Sequence, residues 1–312
     1  MTHVKLPPVL LFLLSASFIF LLQSGCERKE IHEVKKIKTI DSVIIKDTLL
    51  EHAPELKITY HKYLSKGLKT LTDLRKEYGI LKRRIILALN RIDHDNVSIN
   101  DTLIIPDTVS ANIMIYSPFP KKVKILDSIP KIIFFSYPIE SFAAYDSGNL
   151  VRWGPTSLGK KSTPTPKGLF FTNWKKEETI STEDSTWTLP WYFNIDNKRG
   201  ISLHEFSLPG YPASHSCARL LEEDAEWIYN WAEQWIISVD GEKVVAYGTP
   251  VIVYGKFKYK SKPPWKYLAD DPHATDISET KIDSIVTPFL PIIKERRVVR
   301  DSILASRKKV AL

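Results

Sequence analysis

The chain has 312 residues, room for about two domains, and 43% of them are hydrophobic, enough for a packed core. Its formal charge of +8 suits contact with anionic envelope polymers or lipid head groups. No zinc-ligand set, recognition helix or aromatic-basic motif accompanies that charge, which excludes the DNA- and RNA-binding classes.

Lys5 precedes an almost wholly apolar run from Val9 to Leu22. That run is shorter than the roughly 20 residues a membrane span needs, and it fits the core of a secretory signal. It ends in Leu22-Gln23-Ser24-Gly25-Cys26, followed by charge. The sequence resembles a bacterial lipobox over 1–26, with Cys26 as the lipidated residue. The resemblance implies an exported, periplasmic protein, lipid-anchored to an envelope membrane; an uncleaved signal anchor is the alternative. Residues 27–55 are charged and lack glycine, and read as a tether or a short strand.

The chain has two cysteines. With Cys26 carrying lipid, Cys217 is the only mature thiol. Exported compartments favour disulfides, so an unpaired thiol there asks for a reason. A Cys26–Cys217 disulfide is the structural alternative.

Residues 56–108 form a unit. Thr70 to Gly79 reads as a short helix, with Leu71, Leu74 and Tyr78 on one face and Gly79 closing it. Leu81 to Asn90 reads as a second helix, and Val97 to Pro106 as a turn and a strand. Thr-Leu, Tyr-Gly, Leu-Asn and Ile-Asn-Asp-Thr-Leu-Ile-Ile-Pro in this order resemble a LysM module. That resemblance implies a small α+β domain, two helices on a two-stranded sheet, that binds peptidoglycan glycan. The alternative is a packing module without glycan affinity. Residues 109–130 are a connector punctuated by Pro118, Pro120 and Pro130, with strands expected at Ile113–Tyr116 and Val123–Leu126.

From Lys131 the pattern becomes β. Ile132 to Tyr137 is a buried strand candidate. Ser141–Tyr145 and Leu150–Gly154 flank Asp146-Ser147-Gly148-Asn149 as a hairpin. Thr163-Pro164-Thr165-Pro166-Lys167-Gly168 sets a rigid turn before the next strand. Trp187, Trp191, Tyr192 and Phe193 wall a groove or fill the core. Ile201-Ser202-Leu203 is the strand that delivers His204. After Cys217, Leu221 to Ile236 has helical periodicity, with Glu222, Glu223 and Asp224 where a helix dipole favours acids. Gly248 to Val253 reads as a closing strand. In the tail, Lys256, Lys258, Lys260 and Lys262 alternate with Phe257 and Tyr259, as in a charged edge strand or a contact for an anionic polymer. Ile292 to Leu312 reads as a basic helix.

The chemistry concentrates in His204 to Arg219. Pro209, Gly210 and Pro212 bend the segment, so a turn can return the chain and bring Cys217 towards His204. An imidazole beside a thiol can take its proton and leave a nucleophilic thiolate. A first His, a loop, then Ser214-His215-Ser216-Cys217-Ala218-Arg219 resembles the signature of the YkuD-type L,D-transpeptidases, over about 131–255. The Thr-Pro-Lys-Gly element and the closing strand add to the resemblance. It departs from the family at Ser216, where the family has glycine, and in its short His-to-Ser interval, which leaves the groove more open.

The resemblance implies a mainly β catalytic domain of sandwich or barrel form, with a helix after the cysteine. It implies that Cys217 forms a thioester with a peptidoglycan stem peptide and that a second stem resolves it. It makes His204 the base, with the backbone carbonyl of Glu205 orienting its other nitrogen. His215 braces the site; a rival assignment makes His215 the base. The N–H groups of Ser216 and Cys217 hold the oxyanion. Arg219, with Ser214, contacts substrate, Arg219 through a carboxylate; its alternative is a salt bridge to Glu222 or Glu223. No metal or cofactor is called for. The partners implied are stem peptides and glycan, with no nucleic acid. The same site also serves an L,D-carboxypeptidase or a protein-to-peptidoglycan ligase, and a non-catalytic wall-binding lipoprotein is the reading from another class. Residues 256–312 are a basic extension outside the resemblance.

Overall fold

A computed structural model describes residues 57–181 and 183–310. The signal, the lipobox with Cys26 and the 27–55 tether lie outside the described residues.

The chain opens with β1 (Tyr60–Lys66), α1 (Leu68–Leu89) and β2 (Ile99–Pro106). α1 is two helical segments broken at Gly79, whose φ of 79° only glycine adopts freely. β1 and β2 pair antiparallel. Leu74, Ile86, Leu87, Leu103 and Ile105 form the core between helix and sheet, with Leu71 and Tyr78 packed against it. Asn90 closes the helix onto the sheet: its amide donates to Ile86 O and Ile104 O and accepts from Ile104 N, all at 2.8 Å. A buried amide so fully satisfied fixes the register of helix against strand.

Next come β3 (Ile132–Ser136), β4 (Ser141–Asp146), β5 (Asn149–Pro155), β6 (Gly168–Phe171), β7 (Lys175–Ile180), β8 (Thr188–Asp196), β9 (Ile201–Glu205), β10 (Ala218–Leu220) and α2 (Glu222–Trp231). They are followed by β11 (Ile236–Ile237), β12 (Val244–Ala246), β13 (Pro250–Tyr254), α3 (Glu279–Val286) and α4 (Leu290–Val310). One sheet has the order β5-β4-β3-β13-β6 and a second the order β10-β9-β8-β7. The domain is therefore mainly β, two sheets with a helix after Cys217.

β3 shows why its sequence is an unbroken apolar run. Ile133 and Phe135 face the second sheet with Phe193, Leu203, Ala218 and Val251. Ile132 and Phe134 face the other way, onto Val123, Leu126, Ile282, Val286 and Ile293. A strand covered on both faces has no solvent side to mark with polar residues.

The connector and the tail differ from expectation. Ile113–Tyr116 and Lys124–Leu126 are 3₁₀ turns rather than strands. Asn112 caps the first through its side chain, and Tyr116, Phe119, Val123 and Leu126 are buried beneath the first sheet. Their apolar spacing serves packing from turns. Lys256–Lys262 forms no strand; the chain runs irregularly into a 3₁₀ turn, Pro264–Tyr267, that buries Trp265 against Ile104. The helix after Cys217 stops at Trp231, five residues earlier than its periodicity suggests.

Arg91 ties these parts together. It follows α1 with φ 62° and is 1% exposed. Nε donates to Ile139 O at 2.9 Å, and Nη1 to Leu89 O at 2.8 Å and Ala88 O at 3.3 Å. The guanidinium lies between the rings of Trp153 and Trp265, at 5.6 and 5.3 Å from their centroids. It thus joins the helix end, the β3–β4 turn and the tail. Arg91→Ala leaves carbonyls unpaired and a cavity, and is expected to cost about 3–5 kcal/mol. The urea-unfolding midpoint measures this; a change worth under about 1 kcal/mol would mean the cluster closes without the guanidinium.

Candidate active site

β10 runs parallel to β9, with Ala218 opposite Leu203, Arg219 opposite His204 and Leu220 opposite Glu205. Continuing that register sets Cys217 beside Ser202. Successive side chains alternate across a sheet. Ile201, Leu203, Ala218 and Leu220 enter the core between the sheets. Ser202, His204, Cys217 and Arg219 therefore share the opposite face. The bend through Pro209–Pro212 brings together two residues thirteen positions apart.

His204 is 4% exposed. Its Nδ1 lies 2.7 Å from Glu205 O. A carbonyl only accepts, so Nδ1 carries the proton and Nε2 carries the lone pair. Burial pushes the imidazole down to about 4, with the Arg219 charge adding to the effect and the Glu205 carbonyl opposing it. Phe206 meets the ring edge-on at 6.0 Å between centroids.

Cys217 is a free thiol. Its sulfur accepts from Ser202 Oγ at 3.3 Å and lies 3.9 Å from Gly200 O. Among the described residues no hydrogen bond joins it to either histidine. Burial raises the thiol above its ordinary value, while the Ser202 hydrogen bonds and the Arg219 charge pull it back. Thiol and imidazole are thus both held neutral at rest.

His215 is placed differently. Lys160 Nζ lies 2.6 Å from its Nε2. An ammonium only donates, so the lone pair that His215 would need as a base is engaged. Nδ1 is buried without a hydrogen-bond partner. Trp187 packs on both His215 and Phe206, at 5.7 and 5.5 Å.

Ser216 has φ 98°, the left-handed region that glycine enters freely and serine enters at a cost of about 1–3 kcal/mol. Its hydroxyl donates to Thr163 O at 3.3 Å. Ser214 Oγ donates to Cys217 O, and Ser214 N to Leu158 O at 3.1 Å. Ser214 therefore holds the loop from within. Among the described residues, neither Ser216 N–H nor Cys217 N–H donates to a protein acceptor. Arg219 makes no ion pair there with Glu222 or Glu223. Glu223 meets Arg84 at 3.4 Å, while Arg219 donates to Ser207 O at 3.3 Å and covers the Phe206 ring at 4.5 Å.

The loop from His204 to Ser214 is held at Ser207–Pro209, while Tyr211 at its turn is 53% exposed. Ile92 bridges Pro209, and Asp93 N donates to Leu208 O at 3.1 Å. Asp93 Oδ2 accepts from Leu208 N at 2.7 Å, and Asn96 Nδ2 donates to Ser207 Oγ at 2.7 Å. A groove of about 470 Å³ remains beside it, between α1 and the start of α2, lined by Arg83, Arg84, Asp93, Glu205 and Glu222. Ser202, Lys160 and Asp93 are contributors that the sequence reading did not single out. For Ser202 a signal existed: a polar residue two before the histidine, on a strand whose alternate positions are apolar.

A thiol, an imidazole with an oriented lone pair and unclaimed backbone N–H groups are the parts of a cysteine acyl-transfer site. Residues 130–253 match the family model of the L,D-transpeptidase catalytic domain, YkuD. Similar solved structures include an L,D-transpeptidase from Mycobacterium smegmatis (22% identity, 40% of this chain, 59% of that one, TM-score 0.33). Others are L,D-transpeptidase 1 of Mycobacterium tuberculosis (24%, 40%, 62%, 0.31) and an L,D-transpeptidase (Yku) from Stackebrandtia nassauensis (19%, 41%, 57%, 0.33). The chain spans less than two thirds of each of these three. Compared with curated protein sequences, the chain finds no match.

The buried neutral imidazole makes stability depend on pH. An unfolded histidine takes its proton near 6.5, whereas folded His204 waits until about 4. Between those values the unfolded chain binds more protons, so stability is full above about 6.5 and falls as pH drops. The difference is worth up to about 3 kcal/mol, at about 1.4 kcal/mol per pH unit. Urea unfolding of wild type and His204→Phe from pH 7 to pH 4 tests this: the variant is expected to lose less stability over that range, and equal losses would contradict it.

Proposed function

We propose that the protein is a peptidoglycan L,D-transpeptidase working through a cysteine acyl-enzyme. The observation that carries the reading is the shared face of Cys217 and His204, with His204 Nδ1 held by Glu205 O. Cys217 Sγ attacks the carbonyl that precedes the terminal D-alanine of a donor stem peptide, and its proton passes to His204 Nε2. The N–H groups of Ser216 and Cys217 meet the oxyanion. Collapse breaks the peptide bond, His204 returns the proton to the leaving amine, and a thioester remains. An amine of a neighbouring stem attacks the thioester, gives up its proton through His204 and frees the thiol. Arg219 suits a substrate carboxylate, since no protein carboxylate pairs with it among the described residues. His215, engaged by Lys160, positions the loop.

Mass spectrometry of the intact protein incubated with tetrapeptide muropeptides tests the reaction. Wild type is expected to gain the mass of the acylating stem peptide and to release cross-linked dimers; Cys217→Ala is expected to gain none. Removal of the general base typically slows such a step about 10²–10⁴-fold, and His204→Ala is expected to fall in that range. Release of shortened monomers alone marks a carboxypeptidase. Absence of an adduct from any stem peptide or carbapenem sinks the enzyme reading and leaves a wall-binding lipoprotein.

We also propose that residues 56–108 bind glycan. Leu64, Leu68 and Ile99 are 62, 74 and 69% exposed, and Ile99 faces the Gly67 turn that joins β1 to α1. Large apolar side chains gathered at one turn suit the apolar faces of sugar rings. Leu68→Glu with Ile99→Glu, in Cys217→Ala protein, is expected to reduce pelleting with insoluble sacculi several-fold; unchanged pelleting assigns the module to packing.

A further inference from the structure

Ser202 sits at the centre of the catalytic face. It is fully buried, on β9, two residues before His204. Its neighbours Ile201 and Leu203 fill the core between the sheets, so the hydroxyl lies on the other side with the reactive groups. Its Oγ donates to Cys217 Sγ at 3.3 Å, closer than the 3.9 Å from that sulfur to Gly200 O. A buried hydroxyl needs a partner, and here the partner is the reacting atom.

We propose that Ser202 is a further catalytic residue, whose hydroxyl holds the Cys217 sulfur at rest and stabilises the thiolate as it forms. This rests on Cys217 being the nucleophile. When the S–H bond breaks, the proton goes to His204 Nε2 and the electron pair stays on sulfur. Ser202 keeps its own proton and only donates. A hydrogen bond to an anion is about twice as strong as one to a neutral acceptor, so the bond strengthens as charge develops. It weakens once sulfur is acylated and strengthens again when the thiolate departs. Burial alone would keep the thiol protonated, and Ser202 offsets part of that penalty.

The test is the pH dependence of iodoacetamide alkylation at Cys217, read on the Cys217 peptide of the folded full-length chain. In Ser202→Ala the midpoint is expected to move up by about one pH unit and the rate at pH 7 to fall about tenfold. Ser202→Thr, which keeps the hydroxyl on a residue suited to strands, is expected to follow wild type. Near-UV circular dichroism establishes that each variant is folded; should the threonine variant fail this, Ser202→Gly must show the alanine shift. A profile for Ser202→Ala that coincides with wild type overturns the proposal. So does a shift that a folded Ser202→Thr does not reverse, because the effect is then one of packing. Alkylation uses no stem peptide, so this result and the acyl-enzyme experiment fail independently.

Discussion

The site depends on the parallel pairing of β9 with β10. Three residue pairs fix a register in which four polar or reactive side chains share one face and four apolar ones share the other. A slip of one residue would put His204 and Cys217 into the core and Leu203 and Ala218 out of it. The apolar set therefore enforces the register, and the catalytic set inherits it. β10 is short, and its outer edge is held as well: Ser157 N donates to Arg219 O and Arg219 N to Ser157 O, both at 3.1 Å. Thr156 Oγ1 adds a bond to the same carbonyl at 2.7 Å. His204 thus stands on ladder-bonded backbone, and Cys217 directly precedes the short strand that this pairing holds.

The return loop needs its own support, and it comes from both sides. Residues 92–96, between α1 and β2 of the N-terminal module, grip residues 207–209 through two backbone contacts and two side-chain hydrogen bonds. On the opposite side, Glu140 is fully buried and accepts from Leu158 N at 2.9 Å, next to the Leu158 O–Ser214 N bond. Burial raises the Glu140 carboxyl well above its ordinary value, and Arg91 is the nearby positive charge that opposes this. The module, the turn after β3 and the tail meet at Arg91, so the unit read as a separate glycan module also forms part of the wall around the active-site loop.

Legibility in the chain followed how local each signal was. The β4–β5 hairpin, the all-buried β3, the Gly79 break and the helix after Cys217 announce themselves within a few residues. His204 and Cys217 could be linked because the Pro-Gly bend lies between them. Ile113–Tyr116 and Val123–Leu126 misled because apolar spacing alone does not separate a strand from a turn that packs. The tail lysines misled for the converse reason: alternation promises an edge only if a neighbouring strand is free to pair, and here Trp265 draws the chain onto β2. The grip of Asp93 on Leu208 spans 115 residues, and no local pattern encodes it.

The electrostatics favour a particular order of events. A preformed thiolate–imidazolium pair would need two charges in a site that burial makes hostile to both, and among the described residues no hydrogen bond joins the two groups. A neutral pair avoids that cost until substrate arrives. In the proposed reaction charge forms first on sulfur and next on the carbonyl oxygen, and donors for each are in place: Ser202 Oγ for the sulfur, and the N–H groups of Ser216 and Cys217, unclaimed among the described residues, for the oxygen. Between them Ser216 takes φ 98°, a conformation that costs a serine about 1–3 kcal/mol and that hydrogen bonds of Ser214 and Thr163 hold in place. Folding thereby meets the strain of the loop in advance, and in the proposed reaction the donors need not reorganise as the oxyanion forms.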